Sequence, residues 1–140
     1  MRARSKARSW ALQVLYAWES RGLDTPARTI LHDFESERSI NDDSREYMRE
    51  LVNSVADHRS DIDGQLDQAL TNWRLERLSV IDRNILRLAA AEMLFGNAED
   101  VPPAVSIQEA IVLAEKYGTQ ESPRFVNGVL DALRKTVDRE

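Results

Sequence analysis

Residues 79–94 read SVIDRNILRLAAAEML, and this stretch decides the fold. Ser79 is followed three residues later by Asp82, which resembles a capping box with Asp in place of Glu and predicts the start of a helix. The apolar residues that follow recur mostly at helical spacing, so they form one face of that helix. They are Ile81, Ile85, Leu88, Ala89 and Leu94.

Two further helices are predicted on the C-terminal side of this one. Val101-Pro102-Pro103 must be extended, so the preceding helix ends before it. Ser106-Ile107-Gln108-Glu109 reads as a full capping box, and Gly118 reads as the stop of the helix that it opens. Ser122-Pro123 starts the last helix, whose apolar stripe is Val126, Val129, Leu130, Leu133 and Val137.

Four helices are predicted on the N-terminal side. The first runs from about Ser5 to Ser20, with Gly22 as its C′ residue. Thr25-Pro26 caps a short helix, a third begins near residues 41–44, and Ser60-Asp61 caps a fourth. No segment alternates strictly between apolar and polar residues, as a half-buried strand would. We therefore expect a single all-α domain with about seven helices in two sets, about 1–70 and 71–140.

Charge is segregated along the chain. The first eighteen residues contain four charges, all of them basic: Arg2, Arg4, Lys6 and Arg8. Since the chain has 19 Lys+Arg and 24 Asp+Glu, the body from residue 9 carries 15 − 24 = −9. A cationic tip on an anionic body can neutralise a few phosphates and orient a nucleic acid. The alternative is a solvated terminus that collects charge.

Composition weighs against several classes of function. The chain has no cysteine, which excludes disulfides, thiolate zinc sites and a cysteine nucleophile and suits the cytoplasm. No apolar run exceeds five residues, whereas a membrane-spanning helix needs about twenty. His32 and His58 fall in different predicted helices, and the five glycines form no phosphate-binding loop. We therefore expect no enzymatic activity, cofactor, metal site or membrane association.

Two aromatic residues lie at the edges of predicted apolar stripes. Phe125 is one position off the stripe of the last helix, between Arg124 and the nearby Asn127. A ring in that position can stack on an unpaired base while the guanidinium and amide reach phosphate or base edges. Tyr16 lies off the apolar face of the first helix, within two turns of Arg8. The alternative for each ring is that it widens the core or sits at its wet edge.

Several longer strings carry a family resemblance. They are residues 11–16 (ALQVLY), 72–89 (NWRLERLSVIDRNILRLA), 107–114 (IQEAIVLA) and 125–131 (FVNGVLD). Together with the basic run they closely resemble, from end to end, the NusB family of transcription antitermination factors. The resemblance implies two packed helical bundles, no enzymatic activity, and a complex with the ribosomal protein NusE. It also implies that this complex binds the single-stranded boxA element of nascent ribosomal RNA and helps RNA polymerase read through terminators.

The resemblance implies roles for particular residues. The RNA-binding set comprises the basic run Arg2, Arg4, Lys6 and Arg8 together with Tyr16 and Phe125, to which the local pattern adds Arg124 and Asn127. The acidic position offered to NusE matches Asp82, with Glu76 as a second candidate.

Two other interpretations stay open at this point. The same helical domain resembles the N-terminal RNA-binding module of ribosomal RNA cytosine methyltransferases, although ten residues after Leu130 leave no room for an S-adenosylmethionine-binding sheet. A helical scaffold that associates with itself is the other interpretation, since some family members are dimers. The oligomeric state expected is accordingly monomer or homodimer.

Overall fold

The computed structural model describes residues 2–138, and within that range it contains seven α-helices and no strand. The all-α prediction is therefore confirmed. A 3-10 helix, Leu75–Arg77, lies between the fourth and fifth α-helices. The helices are α1 (Ala3–Ser20), α2 (Ala27–Ser36), α3 (Asp42–Asp57), α4 (Arg59–Ala69), α5 (Val80–Phe95), α6 (Pro103–Tyr117) and α7 (Ser122–Asp138).

Two predicted helix ends have the expected local chemistry. At the start of α5, the Ser79 hydroxyl accepts a hydrogen bond of 3.1 Å from the backbone N–H of Asp82. At the end of α1, Gly22 has φ 81°, a left-handed conformation that glycine adopts without steric cost. Its N–H donates to the carbonyl of Glu19 and that of Leu23 donates to the carbonyl of Trp18, which is a Schellman motif. Both predictions are confirmed.

Three predicted helix starts are wrong. α6 begins at Pro103, three residues before the proposed capping box, with Pro102 as an extended N-cap. Proline suits the first helical position because its φ is already helical and the missing N–H would be unpaired there. Ser106 therefore lies inside α6, buried, and its hydroxyl has no partner among the described residues.

The other two starts shift by one or two residues. Pro26, not Thr25, is the N-cap of α2, and the carbonyl of Thr25 accepts a hydrogen bond of 2.8 Å from the indole N–H of Trp18. α4 begins at Arg59, one residue before the Ser60-Asp61 pair, because α3 and α4 are joined by His58 alone.

α5 is the central helix of the molecule. It packs against α1, α3, α4, α6 and α7, and its buried side chains belong to one continuous hydrophobic core with those of the other helices. The largest fully buried side chains include Leu12, Leu15, Met48, Ile62, Leu66, Ile85, Leu86, Leu130 and Leu133. The division of the helices into two bundles stays a prediction.

A network of ion pairs between arginine and carboxylate side chains links α1 and α4 to α5. Arg87 on α5 donates to Glu19 of α1 (Nη1 to Oε1, 2.7 Å) and to Asp63 of α4 (Nε to Oδ1, 2.8 Å), and Arg83 also donates to Glu19 (Nε to Oε1, 3.0 Å). Burial favours the neutral form of Glu19, but the two guanidiniums outweigh it and hold the pKa of this carboxyl below its usual range.

Candidate nucleic-acid and partner interface

The basic tip is part of an ordered helix. Arg2 is the N-cap of α1, and Arg2, Arg4 and Lys6 are all exposed. Arg4 donates from Nη1 to the carbonyl of Asp100 at 3.3 Å, and its guanidinium carbon lies 5.2 Å from the ring centroid of Tyr47. These three cations are thus held on the first turns of a packed helix, which weakens the interpretation as a solvated terminus.

Arg8 is placed differently, and the expectation that it is an exposed phosphate contact is wrong for this structure. Its exposed fraction is 4%, and it donates to Glu92 (Nε to Oε2, 2.9 Å) and to Glu109 (Nη1 to Oε1, 2.8 Å). The hydroxyl of Tyr47 also donates to Glu92, and burial together with the nearby carboxylate raises the pKa of Tyr47. Arg8 therefore joins α1 to α5 and α6.

Phe125 lies beside the start of α5, whereas Arg4 of the basic tip lies beside its end. Its ring is partly buried on α7 and lines a shallow groove with Trp73, Ser79 and Asp82, at the start of α5. Arg4, in contrast, lines a groove with Phe95 at the end of α5. The two groups of sequence-predicted RNA residues are therefore separated by about the length of α5, roughly 24 Å for 16 helical residues.

The residues beside Phe125 on α7 face solvent. Arg124, Asn127 and Gly128 are all exposed. A Cβ added at Gly128 would meet no atom within 4 Å, so this glycine does not serve the close approach of another helix. The exposed surface of α7 thus presents the guanidinium of Arg124, the amide of Asn127 and the backbone of Gly128 next to the partly buried ring of Phe125.

Tyr16 lies near the start of α5. Its side chain is 47% exposed and lines a groove with Gln13, Ile81 and Tyr117. Ile81 precedes Asp82 on α5, so the Tyr16 groove and the Phe125 groove flank the start of the same helix. The structure thus brings Tyr16 to the start of α5, the same end as Phe125.

The two candidate partner residues occupy different surroundings. Asp82 lines the Phe125 groove, and its Oδ1 is buried without a hydrogen-bond partner among the described residues. The reciprocal bond of a capping box is therefore missing, and the side chain of Asp82 does not cap the helix through this atom. Glu76 is exposed, lies 3.6 Å from Arg74, and lines a separate groove with Arg83 and Arg87.

Trp73 is a candidate that sequence reasoning missed. It follows α4 in an irregular segment, is 60% exposed, and lines grooves with Phe125 on one side and Glu76 on the other. Large exposed aromatic residues are enriched at binding surfaces. The signal in the sequence was a tryptophan between the polar residues Asn72 and Arg74, outside every predicted apolar stripe.

The histidines and acids form no evident catalytic or metal centre in the described part of the chain. His32 is exposed, and His58 stacks on Phe95 with ring centroids 3.8 Å apart and an interplanar angle of 11°. Among residues 2–138, no group of three or more His, Cys, Asp or Glu side chains is arranged to hold a metal ion. In the same range no helix combines the length and apolar character that crossing a membrane requires.

The fold and these surfaces define a class of protein: a small all-helical protein whose candidate site is a set of exposed cations and aromatic rings rather than a closed pocket. A family model described as the NusB family matches residues 5–135. The transcription antitermination protein NusB of Sorangium cellulosum (strain So ce56) is 42% identical over 139 residues, which cover 99% of this chain and 96% of that protein. The chain belongs to the NusB family.

Solved structures agree with this assignment. The structure of T. maritima NusB has a TM-score of 0.84 and 38% sequence identity, and the match covers 94% of this chain and 90% of that one. A crystal structure of antitermination factors NusB and NusE in complex with dsRNA matches with a TM-score of 0.82 and 34% identity, over 97% of this chain and 98% of that one.

Proposed function

We propose that this chain is a transcription antitermination factor that binds a boxA-type single-stranded RNA of nascent ribosomal transcripts together with a NusE-type ribosomal protein. It acts as an adaptor in the antitermination complex of RNA polymerase, without catalysis and in the cytoplasm. One observation carries the RNA part of this proposal: Arg2, Arg4 and Lys6 are exposed on an ordered helix end of a protein whose net charge is −5.

The contrast with three arginines that link helices supports this assignment. Arg8, Arg83 and Arg87 are held by carboxylates of other helices and serve the fold. Arg2, Arg4 and Lys6 have no carboxylate within 4.0 Å among residues 2–138. An unpaired surface cation can replace the counterions of a phosphate without first breaking an ion pair. The three residues thus form the phosphate-binding tip.

The groove lined by Phe125, Trp73 and Asp82 is the proposed partner site. It combines two aromatic rings with the carboxylate of Asp82, whose Oδ1 has no hydrogen-bond partner within residues 2–138. A basic protein that places a lysine or arginine beside Asp82 and covers Trp73 would offset the charge of this carboxylate and bury the exposed ring. Such a partner also offsets part of the negative body charge, so RNA affinity should rise when it binds.

The test is RNA binding across a salt series. A boxA-like single strand is titrated with the protein alone and with the NusE-type partner, at several salt concentrations. Each phosphate contact on a single strand contributes about −0.7 to the slope of log K against log salt, so the double variant Arg2→Gln/Arg4→Gln should flatten the slope by about 1.4. The matched control is Arg28→Gln/Lys135→Gln, which removes two exposed cations from α2 and α7.

The outcomes separate clearly. Equal slopes for the wild type and the tip variant would refute the phosphate-binding tip. Tighter binding to a duplex of the same sequence than to the single strand would refute the proposed substrate. An RNA affinity that is the same with and without the partner would refute the cooperative complex.

A further inference from the structure

A groove beside the basic tip differs in composition from four other grooves in the described part of the chain. It lies between α1, the end of α6 and the segment that joins α2 to α3, and it encloses about 300 Å³. Two of the three lysines of the chain line it, together with amides, hydroxyls and two aromatic rings. We call it the lysine groove; its lining includes Lys6, Gln13, Asn41, Lys116 and Tyr117.

No carboxylate lines the lysine groove, in a chain with 24 Asp+Glu. Four other grooves in the described part of the chain each carry two or more acidic side chains, among them Asp33 and Glu37 beside Tyr16 and Asp82 and Glu121 beside Phe125. Three acids adjoin lining residues in the sequence without lining the groove themselves: Asp42, which is paired with Arg45 at 2.8 Å, Asp43 and Glu115. A polyanion entering the lysine groove thus meets positive charge without a lining carboxylate to oppose it.

The walls of the groove are fixed by hydrogen bonds. The Tyr117 hydroxyl bonds to the hydroxyl of Ser9 and accepts from Nε2 of Gln13 at 3.3 Å. Lys116 lies over the Tyr117 ring, with Nζ 5.1 Å from the centroid, and both Lys6 and Lys116 are exposed. Within residues 2–138, neither ammonium has a carboxylate within 4.0 Å. The site is therefore built before any ligand arrives.

The position of the groove links two parts of the candidate interface. Lys6, Ser9, Gln13 and Tyr16 are spaced three, four and three residues apart, so they lie along one face of α1. Gln13 and Tyr117 line both the lysine groove and the Tyr16 groove. A strand that starts on the basic tip and follows this face passes through the lysine groove before it reaches Tyr16.

We infer that the lysine groove binds the sugar-phosphate backbone of the single-stranded RNA between the basic tip and Tyr16. Lys6 and Lys116 contact its phosphates, and the amides of Gln13 and Asn41 are within reach of a base edge. Amides recognise bases through paired donor and acceptor atoms, whereas the ammonium groups contribute affinity without sequence preference. This inference rests on the proposed function, since it extends the path of the same RNA from Lys6 and Gln13, which the family motifs include, to Asn41 and Lys116, which they do not.

The chain has only three lysines, which makes chemical footprinting decisive. Lys6 and Lys116 line the groove, whereas Lys135 is exposed on α7 outside it and serves as an internal control. Lysine acetylation of the intact protein is followed by mass spectrometry, with and without a boxA-like single strand and with the NusE-type partner in both samples. RNA should slow the acetylation of Lys6 and Lys116 and leave that of Lys135 unchanged.

Two variants provide the affinity test. Lys116→Gln should lower the salt slope by about 0.7, which corresponds to about fivefold weaker binding at 0.1 M salt. Asn41→Asp adds the carboxylate that the groove lacks, and because Asp and Asn cap helices equally well, α3 should stay folded. It should weaken RNA binding by a similar factor, whereas Gln68→Glu, the same charge change at an exposed position of α4, should not.

The failures are distinguishable. If RNA binds with a slope that depends on Arg2 and Arg4, but Lys116 is acetylated equally fast with and without RNA, the lysine groove is not on the RNA path and the proposed function stands. If single-stranded RNA binds neither alone nor with the partner, the proposed function itself is wrong. If Asn41→Asp and Gln68→Glu weaken RNA binding equally, RNA affinity depends on the net charge of the protein and not on the lysine groove.

Discussion

Arg8 on α1 and Glu92 on α5 form a buried ion pair, with Nε of the arginine 2.9 Å from Oε2 of the glutamate. Glu109 of α6 binds the same guanidinium, so one side chain joins three helices. The exposed and buried members of the basic run therefore have different roles. Arg2, Arg4 and Lys6 face solvent, and Arg8 stabilises the end of the helix that presents them.

Replacing Arg8 should affect folding first. Arg8→Gln leaves the buried Glu92 without its cation and with only the Tyr47 hydroxyl as a donor, and the loss of one member of a buried ion pair costs about 3–5 kcal/mol. Urea denaturation measures this free energy of unfolding. Lys6→Gln, two positions away and exposed, should change it by no more than about 0.5 kcal/mol. If the Arg8 variant has unaltered stability and a lower RNA salt slope, Arg8 contacts a phosphate of the RNA and does not stabilise the fold.

Phe125→Ala should separate stacking from packing. The ring is only partly buried, so its removal should cost less than the about 3–5 kcal/mol of a core phenylalanine. If a base stacks on this ring, its removal should also weaken RNA binding by about 1–3 kcal/mol. Thermal unfolding and RNA titration of the same sample measure the two losses independently.

The control for that experiment is Trp73→Ala, in the same groove but 60% exposed. If Phe125→Ala weakens partner binding while RNA binding by the isolated protein stays at the wild-type level, the ring belongs to the partner interface and does not stack on RNA. A collapse of the melting temperature with intact affinity would assign Phe125 to the core.

Asp82→Asn should weaken binding of the NusE-type partner. The substitution keeps the size of the side chain and removes its charge, and a charge at a helix N-terminus contributes only about 0.3–1 kcal/mol to stability. We expect a folded protein that binds RNA alone as before and no longer gains affinity from the NusE-type protein. Glu76→Gln, in the neighbouring groove, tests the second candidate. If both variants bind the partner with wild-type affinity, neither Asp82 nor Glu76 belongs to the docking surface.

Glu19 should make stability depend on pH in the acid range. Its folded-state pKa is lowered from an ordinary value of 4.5, so its contribution is present above that value and is lost as the pH falls through the folded pKa. Glu19→Gln should therefore have a lower free energy of unfolding than the wild type at pH 7. This difference in stability should become smaller below about pH 4. Because 12% of the side chain is exposed, the difference at pH 7 should lie below the about 3–5 kcal/mol of a fully buried pair.

The measurement is urea denaturation between pH 3 and pH 7. Glu115→Gln, an exposed position on α6, should change stability by no more than about 0.5 kcal/mol across this range. A difference for Glu19→Gln that is constant with pH would show that the arginines do not stabilise the ionised carboxylate.

Features that depend on a few neighbouring residues could be predicted from the sequence. The Ser79 cap and the Gly22 terminus are of this kind, because each needs only local hydrogen bonds and a local backbone conformation. The start of α6 was predicted wrongly because two local signals compete, and the proline at its first position outweighs the serine three residues later.

Features that depend on distant pairs could not be predicted. The partners of Arg8 lie 84 and 101 residues away in the chain, and no periodicity marks them. The grouping of Trp73 with Phe125 and Asp82 has the same origin, because it arises only when α5 and α7 pack together. Charge and motif identified candidate residues, and the tertiary contacts decided which of them are free.

The separation of the basic tip from Phe125 sets the length of stacked RNA strand that can contact both. The two ends lie about the length of α5 apart, roughly 24 Å. A strand that keeps the stacked helical spacing of 3.4 Å per nucleotide covers this distance in about seven steps, so about eight nucleotides touch both ends. A shorter stacked oligonucleotide can occupy one end at a time, so two molecules would bind independently and weakly. A longer one gains from tethering, because occupation of one end raises the local concentration at the other. Affinity should therefore rise in a step, not smoothly, as the oligonucleotide is lengthened past this span.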